Sequence, residues 1–388
     1  MRIGVDIRVL MDKYYSGISE YTANLLMAIL KLDRDNEYKL FYNSYQNISE
    51  RLDKWNGPNS KVINLRYPNK IFNYVLQKIF GYPRLDRVLG GVDVFWSPHF
   101  NFTSLSGSES GLQKIITVHD LSFLRYPQFF SGRKNFWHKA LGVIKTLRAA
   151  DRIVAVSENT KNDIIELAGV AADKVKVIYS GNNVTKKIWP KEKVRACLNK
   201  LSVSGPFILY VGNIEPRKNI SGIIKAYNQL RNELGNDGNN ISLILAGAPG
   251  WKDSQIRDDW RASPYQDQIK FLGYVDQTEK EILYSRAAIF VYPSFYEGFG
   301  FPPLEAMTYG VPVVCSNVSS LPEIVGAAGL MINPDKIEEI AAAIKLILTD
   351  AELRQHLVSS GYERAQLFSW DKAAQEYLEL FKETHESR

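Results

Sequence analysis

Short apolar runs alternate with helically spaced apolar positions along this chain, and the alternation occurs twice. In the first half, residues 2–7, 38–42, 92–96, 114–118, 152–156 and 175–178 have the length and apolar density of strands, and 20–32 reads as an amphipathic helix. Ser157 stands where an N-cap opens a helix running to Leu167. A polar, Lys-rich stretch follows at 182–204. The pattern then restarts with strands at 207–211, 242–246, 269–272, 288–291 and 311–315, and a helix at 219–234. Strand–helix alternation predicts a parallel sheet with helices on both faces, and the restart predicts two of them. The expected division is 1–187 for an N-terminal domain, 188–204 for a linker with a short helix, and 205–369 for a C-terminal domain. The final stretch, 370–388, is helical with apolar residues spaced for burial.

Composition narrows the class. A chain of 388 residues with 45% hydrophobic content can build two packed cores. No apolar run approaches the ~18 residues of a membrane-spanning helix. The N-terminus alternates like a strand and lacks the basic and apolar blocks of a signal peptide. Cys197 and Cys315 are too few and too isolated for a disulfide framework or a zinc site, which points to a reducing, cytoplasmic location.

The net charge of +6 is unevenly spread. Residues 1–190 hold 27 Lys+Arg against 17 Asp+Glu, and the remainder 21 against 25. An excess of this kind suits an anionic partner, or is simply a solvated basic face. No nucleic-acid recognition motif accompanies it. Segments 66–87 and 133–152 interleave Lys and Arg with aromatic and aliphatic residues, the pattern of helices that lie on acidic membrane. The alternative packs those apolar residues into the domain core, and periodicity alone does not choose the buried face.

The densest chemistry lies in the string from Pro293 to Met307, which contains Glu297, Gly298, Phe299, Gly300, Pro302, Pro303 and Glu305. A buried strand ends, a glycine loop follows, and prolines open a helix, where a missing N–H costs nothing. Glycines let backbone approach a ligand, and a helix N-terminus suits phosphate. Carboxylates there are expected to accept hydrogen bonds from sugar and ribose hydroxyls. Arg217 and Lys218 follow the end of the strand at 207–211, where open α/β sheets bind ligands, and such a pair can neutralise a diphosphate. His119 and Asp120 follow the strand at 114–118, with Asp120 read as holding its turn.

Two glutamates separated by seven residues in this setting resemble the E-x7-E signature of the retaining GT-B glycosyltransferases of family 4, the glycosyl transferases group 1. Tyr210 to Asn219 is similar to the family's diphosphate site, with Gly212 and Asn213 at its turn. Phe271 to Val275 is similar to its base-binding turn, with Gly273, Tyr274 and Val275 as donor contacts. Thr117 to Leu121 resembles its N-domain active-site turn. The resemblance runs in order along nearly the whole chain. It implies two Rossmann-like doubly wound domains facing across a cleft, with 370–388 crossing back to the N-terminal domain. It implies a hexosyltransferase that retains configuration, with His119, Glu297, Arg217 and Lys218 as catalytic residues. Gly298, Phe299, Gly300 and Glu305 would bind the donor, and Gly17 would bring backbone N–H groups to its β-phosphate. The wording of 211–217 is similar to bacterial mannosyltransferases of O-antigen, lipopolysaccharide and exopolysaccharide synthesis. That implies GDP-mannose as donor and a saccharide or lipid-linked saccharide as acceptor, with UDP- or dTDP-sugars as alternative donors. No cofactor and no metal are expected.

Other classes fit less well. Asp33-Arg34-Asp35 spells the D-x-D of metal-dependent transferases but follows a helix, and is read as a solvated turn. No P-loop or complete G-x-G-x-x-G supports an ATPase or a nicotinamide enzyme. A sugar-nucleotide epimerase would need no separate acceptor, and a non-catalytic sugar-nucleotide binding protein would be expected to lack one of His119, Arg217, Lys218 or Glu297. Donor turnover with and without a lipid-linked acceptor separates these readings.

Overall fold

The computed structural model describes residues 1–12, 17–182, 184–235 and 240–387. The chain forms two compact units: one from Met1–Arg125, Gly132–Asn183 and Ser369–Arg388, the other from Tyr126–Ser131 and Val184–Phe368.

The first unit contains strands β1 (Arg2–Asp6), β2 (Glu37–Tyr42), β3 (Ser60–Asn64), β4 (Val94–Ser97), β5 (Gln113–Val118), β6 (Arg152–Ala155) and β7 (Val175–Val177). They form one parallel sheet in the order β3-β2-β1-β4-β5-β6-β7. The second unit holds β8 (Phe207–Val211), β9 (Ser242–Ala246), β10 (Ile269–Gly273), β11 (Ile289–Tyr292), β12 (Val313–Ser316) and β13 (Gly329–Ile332). Their order is β10-β9-β8-β11-β12-β13, again parallel. Every residue of β8, β11 and β12 is buried, which is why these strands read as unbroken apolar runs.

Two strands escape the sequence pattern, β3 and β13. Both lie at sheet edges and are only partly buried. An edge strand covered on fewer sides tolerates Lys61 and Asn64, or an opening Gly329, so its apolar signal is weak. The helix at Gly17–Leu32 begins three residues earlier than predicted. Ser157 caps the helix Glu158–Ala168, its hydroxyl accepting from the Thr160 amide at 3.1 Å.

The stretch expected as a linker, 188–204, belongs instead to the second unit. Its helix Lys191–Lys200 is fixed there by an ion pair from Lys200 to Glu279 at 2.7 Å. Tyr126–Ser131, expected in the N-terminal domain, also packs in the second unit. Phe129 stacks on Phe295 (5.7 Å) and Phe130 on Trp251 (5.7 Å), and the Trp251 indole donates to the Phe129 carbonyl at 2.5 Å.

The last helix, Trp370–Glu386, packs in the first unit along Gly17–Leu32. Its Tyr377 hydroxyl lies 2.9 Å from that of Tyr21 and 2.6 Å from that of Thr117, which accepts from the Trp96 indole at 2.9 Å. Tyr377 and Phe381 are fully buried beside Trp96. Phe381→Ala is expected to cost about 3–5 kcal/mol, the loss of buried aromatic area plus the cavity left behind. Urea unfolding followed by tryptophan fluorescence measures it, and a change below about 1 kcal/mol would mean that this helix does not stabilise its unit.

Candidate active site

In the second sheet, strand order reverses between β8 and β11, which pair directly. Loops leaving neighbouring strands at such a point diverge and open a crevice at the strands' C-terminal ends. The β8 loop carries Arg217 and Lys218, and the β11 loop carries Glu297. Topology thus brings together residues nearly eighty positions apart.

The contacts are close. Lys218 Nζ donates to Glu297 Oε1 at 2.6 Å and to the Tyr292 hydroxyl at 2.8 Å. Arg217 Nη1 reaches Glu297 Oε2 at 3.3 Å and the Tyr296 carbonyl at 2.6 Å, and its Nη2 donates to Glu215 Oε1 at 2.9 Å. Burial alone would raise the Glu297 carboxyl, but the charges of Lys218 and Arg217 hold it down at about 2. Burial and the adjacent Arg217 lower the Lys218 ammonium from its usual value. Two cations and two carboxylates leave this cluster neutral overall.

Glu215, Tyr292 and Ser319 are parts of the site that sequence reasoning missed. Ser319 donates to the Glu297 carbonyl at 2.5 Å and accepts from its amide at 2.9 Å, while the Ser320 hydroxyl donates to the Glu297 and Phe299 carbonyls. The run of Ser316, Ser319 and Ser320 directly after a buried strand was the available signal. Backbone shape matters at two glycines. Gly212 has φ of 151°, and a Cβ there would lie 2.7 Å from the Tyr210 hydroxyl. Gly300, with φ of 119°, caps the helix Phe301–Thr308.

Other predicted residues lie elsewhere. Glu305 is buried apart from the Arg217–Lys218 pair, its oxygens held by Lys280 Nζ at 2.9 Å and the Tyr284 hydroxyl at 3.0 Å. Pro302 and Pro303 leave the first turn of their helix with fewer N–H donors than an ordinary N-terminus offers. Phe299 packs against Phe301 and Phe368, and Gly298 is buried. Gly273 closes β10 at φ of 71°, followed by an exposed Tyr274 ring and a half-buried Val275; Asn213 is exposed.

His119 and Gly17 belong to the first unit. His119 follows β5, packs edge-on against Tyr21 of the Gly17–Leu32 helix at 4.7 Å, and its Nε2 lies 2.8 Å from the Pro98 carbonyl. A carbonyl only accepts, so Nε2 carries the hydrogen and Nδ1 is the acceptor. Burial pushes the ring's pKa down to about 4, so it is neutral at pH 7. Asp120 accepts from the Ser122 amide and hydroxyl, holding the turn. Gly17 is exposed at the first helical residue, with open space where a Cβ would stand; Ser16 lies outside the described residues. Asp33 is not a solvated residue. It is buried, accepting from Asn36 and from the Asp35 amide, and so closes the turn into β2. Among the described residues no group of three or more His, Cys, Asp or Glu is placed to hold a metal, and no helix is long and apolar enough to cross a membrane.

A folded pKa below the unfolded value gives stability that is full above about 6.5 and is lost as pH falls toward 4. His119 is therefore expected to remove at most about 3 kcal/mol across that window. Burial also lowers the pKa of the His99 ring, which contributes in the same direction, so the test is a difference. Denaturation of wild type and His119→Asn from pH 7 to 4 should diverge, with the variant flatter. Parallel curves would mean that His119 is not desolvated.

Residues 199–364 match the family model described as glycosyl transferases group 1, and 15–186 match glycosyltransferase family 4. The chain is 36% identical to O-antigen chain mannosyltransferase B of Escherichia coli over 272 residues, which is 69% of this chain and 70% of that protein. It is 31% identical over 271 residues to the serotype-specific mannosyltransferase WbdA of Escherichia coli, covering 69% of this chain but only 33% of that longer protein. The crystal structure of Anabaena Alr3699/HepE in complex with UDP-glucose superimposes with a TM-score of 0.71 at 18% identity, covering 99% of this chain and all of the other. Two doubly wound parallel sheets, the loop pair at the β8/β11 reversal and these matches agree: the chain belongs to the glycosyl transferases group 1 of family 4, with the GT-B fold, and is a glycosyltransferase.

Proposed function

We propose that the protein transfers mannose from GDP-mannose to a saccharide or lipid-linked saccharide acceptor, with retention of configuration, in the synthesis of a cell-surface polysaccharide. The observation that carries the reading is the cluster of Arg217, Lys218 and Glu297 at the β8/β11 reversal, in a chain 36% identical to an O-antigen chain mannosyltransferase. In this mechanism the bond from the anomeric carbon to the β-phosphate oxygen breaks while the acceptor hydroxyl bonds to the same face of that carbon. The acceptor's proton passes to a β-phosphate oxygen. Positioning and charge stabilisation supply the rate, without a metal or cofactor. His119, neutral and oriented by the Pro98 carbonyl, orients the donor sugar through a hydrogen bond.

A thermal-shift panel of GDP, UDP and dTDP, followed by product anomer assignment with GDP-mannose, tests this. The largest shift with GDP and an α-linked product are expected; stabilisation by UDP alone would replace the donor. That second reading has support of its own, because the HepE structure carries UDP-glucose.

We place the site of action at the cytoplasmic face of an anionic membrane. Helix Ile71–Phe80 exposes Ile71, Tyr74, Val75, Ile79 and Phe80, and helix Gly132–Leu141 exposes Phe136 and Trp137. The two meet where Tyr74 packs on Trp137 at 5.6 Å. Lys70, Lys78, Arg133 and Lys139 are exposed in the same two segments. Buried apolar area and about 1 kcal/mol per basic residue near acidic lipid together hold a protein reversibly. In vesicle sedimentation, binding should require anionic lipid, fall with salt, and weaken in Arg133→Ser/Phe136→Ser/Lys139→Ser. Equal binding to neutral vesicles would remove this element of the proposal.

A further inference from the structure

The first unit contains a cavity of about 550 Å³ between β4, β5 and the helices Ile71–Phe80 and Val143–Ala149. Its charged lining among the described residues is Lys78, Arg84, Lys114 and Lys145, with no Asp or Glu among them. Arg84 is turned onto the Ser104 hydroxyl at 3.1 Å, and Lys78 sits over the Phe102 ring at 5.3 Å. His99 also lines the cavity, and its Nδ1 is buried with no hydrogen-bond partner among the described residues. Four cations without a facing acid, beside a ring nitrogen without a partner, are the complement of a multiply charged anion.

Two features say what bears that anion. The helix that contributes Gln77 and Lys78 to the cavity carries an uncovered apolar stripe of Ile71, Val75 and Ile79, four residues apart. The turn after β4 is shared with the reaction residues: the Pro98 carbonyl holds His119 at 2.8 Å, and the next residue, His99, lines the cavity. We propose that this cavity binds the phosphate or diphosphate group of an amphiphilic acceptor, with its hydrocarbon lying along the Ile71–Phe80 helix. The inference rests on the lipid-linked acceptor reading and names the residues that hold the acceptor's charge. Among the described residues the side chains of Lys114 and Lys145 make no hydrogen bond or ring contact, whereas Lys78 and Arg84 are already oriented by Phe102 and Ser104.

Isothermal titration with farnesyl diphosphate, farnesol and inorganic pyrophosphate tests it. Farnesyl diphosphate should bind one to one, and each of the other two at least about 10-fold more weakly. Losing two charge-assisted contacts in Lys114→Gln/Lys145→Gln should weaken farnesyl diphosphate by about 30-fold. Affinity for GDP should be unchanged, and so should farnesyl diphosphate binding by the charge control Lys54→Gln/Lys61→Gln. In turnover Lys114→Gln/Lys145→Gln should raise KM for acceptor and leave kcat unaltered. Unchanged binding by Lys114→Gln/Lys145→Gln, equal weakening in the control, or pyrophosphate binding as tightly as the amphiphile would each overturn the assignment. Failure of the donor reading would appear separately, as absence of GDP binding with the amphiphile isotherm intact.

Discussion

Glu297→Ala is expected to abolish transfer and to destabilise its unit by about 3–5 kcal/mol, because it strands Lys218 and Arg217 in a buried site. The Glu297 carboxylate accepts hydrogen bonds from both cations, and its backbone amide donates to the Ser319 hydroxyl, so its side chain holds the cluster together. A substitution that removes activity without touching the fold is therefore the wrong expectation for alanine. Glu297→Gln keeps the volume and removes the charge. The Glu297 carboxyl is held at about 2 in the fold. Its contribution is thus full above about 4.5 and is lost as pH falls through 2, an acid limb of about 3 kcal/mol that the glutamine variant should lack. A diphosphate supplies the missing negative charge. At one fixed concentration, a hundredfold over the wild-type Kd, GDP adds about 2.7 kcal/mol to wild type, and should add more to Glu297→Gln if it replaces the carboxylate and so binds that variant more tightly. Urea unfolding with and without GDP, alongside turnover, measures all three effects. Near-normal turnover by the alanine variant would mean that this glutamate is a structural ion-pair partner and nothing else.

The parts of this site that could be read from sequence are those carried by local order. Arg217 and Lys218 just past an apolar strand, and Glu297 inside a glycine loop just past another, announce themselves because strand ends in open sheets bind ligands. What no local pattern supplies is the pairing of β8 with β11, and hence the fact that those two loops face each other. Tyr292 was invisible for that reason, because it acts by touching Lys218 of the other loop, while Glu215 lies two residues from the Arg217 it holds, a spacing that carries no periodic signal of its own. Glu305 shows the opposite limit. Its spacing from Glu297 carries the resemblance, yet Lys280, which binds it, comes from a helix twenty-five residues earlier in the chain. Edge strands β3 and β13 were lost because half-exposed strands keep only half of an apolar signature. Packing of 126–131 into the second unit left no periodic trace; it depends on Phe129 and Phe130 finding Phe295 and Trp251.

Removing the cations should have the largest effect on the chemical step. Lys218→Met and Arg217→Met, taken singly, are each expected to lower kcat by about 10²–10³, the usual loss when one preorganised donor to a developing oxyanion is removed. The cluster is neutral before donor binds, so its service to the leaving diphosphate comes from orientation. Lys218 is held by Tyr292 and Arg217 by Glu215 and the Tyr296 carbonyl, contacts that keep both side chains at the loop mouth when Glu297 turns to a sugar hydroxyl. The two effects should not add, because each cation also fixes the shared carboxylate; the double variant should lose less than the product of the single losses. KM for donor should rise less than kcat falls, since the charge being stabilised develops as the glycosidic bond breaks. If these side chains are the whole of the leaving group's support, turnover in EDTA should match turnover in Mg²⁺. Single-turnover rates with GDP-mannose, measured for both variants in EDTA and in excess Mg²⁺ or Mn²⁺, decide the matter. Loss of wild-type activity in EDTA with recovery by Mn²⁺, or rescue of Lys218→Met by added metal alone, would move the leaving-group charge from Arg217 and Lys218 to a bound cation.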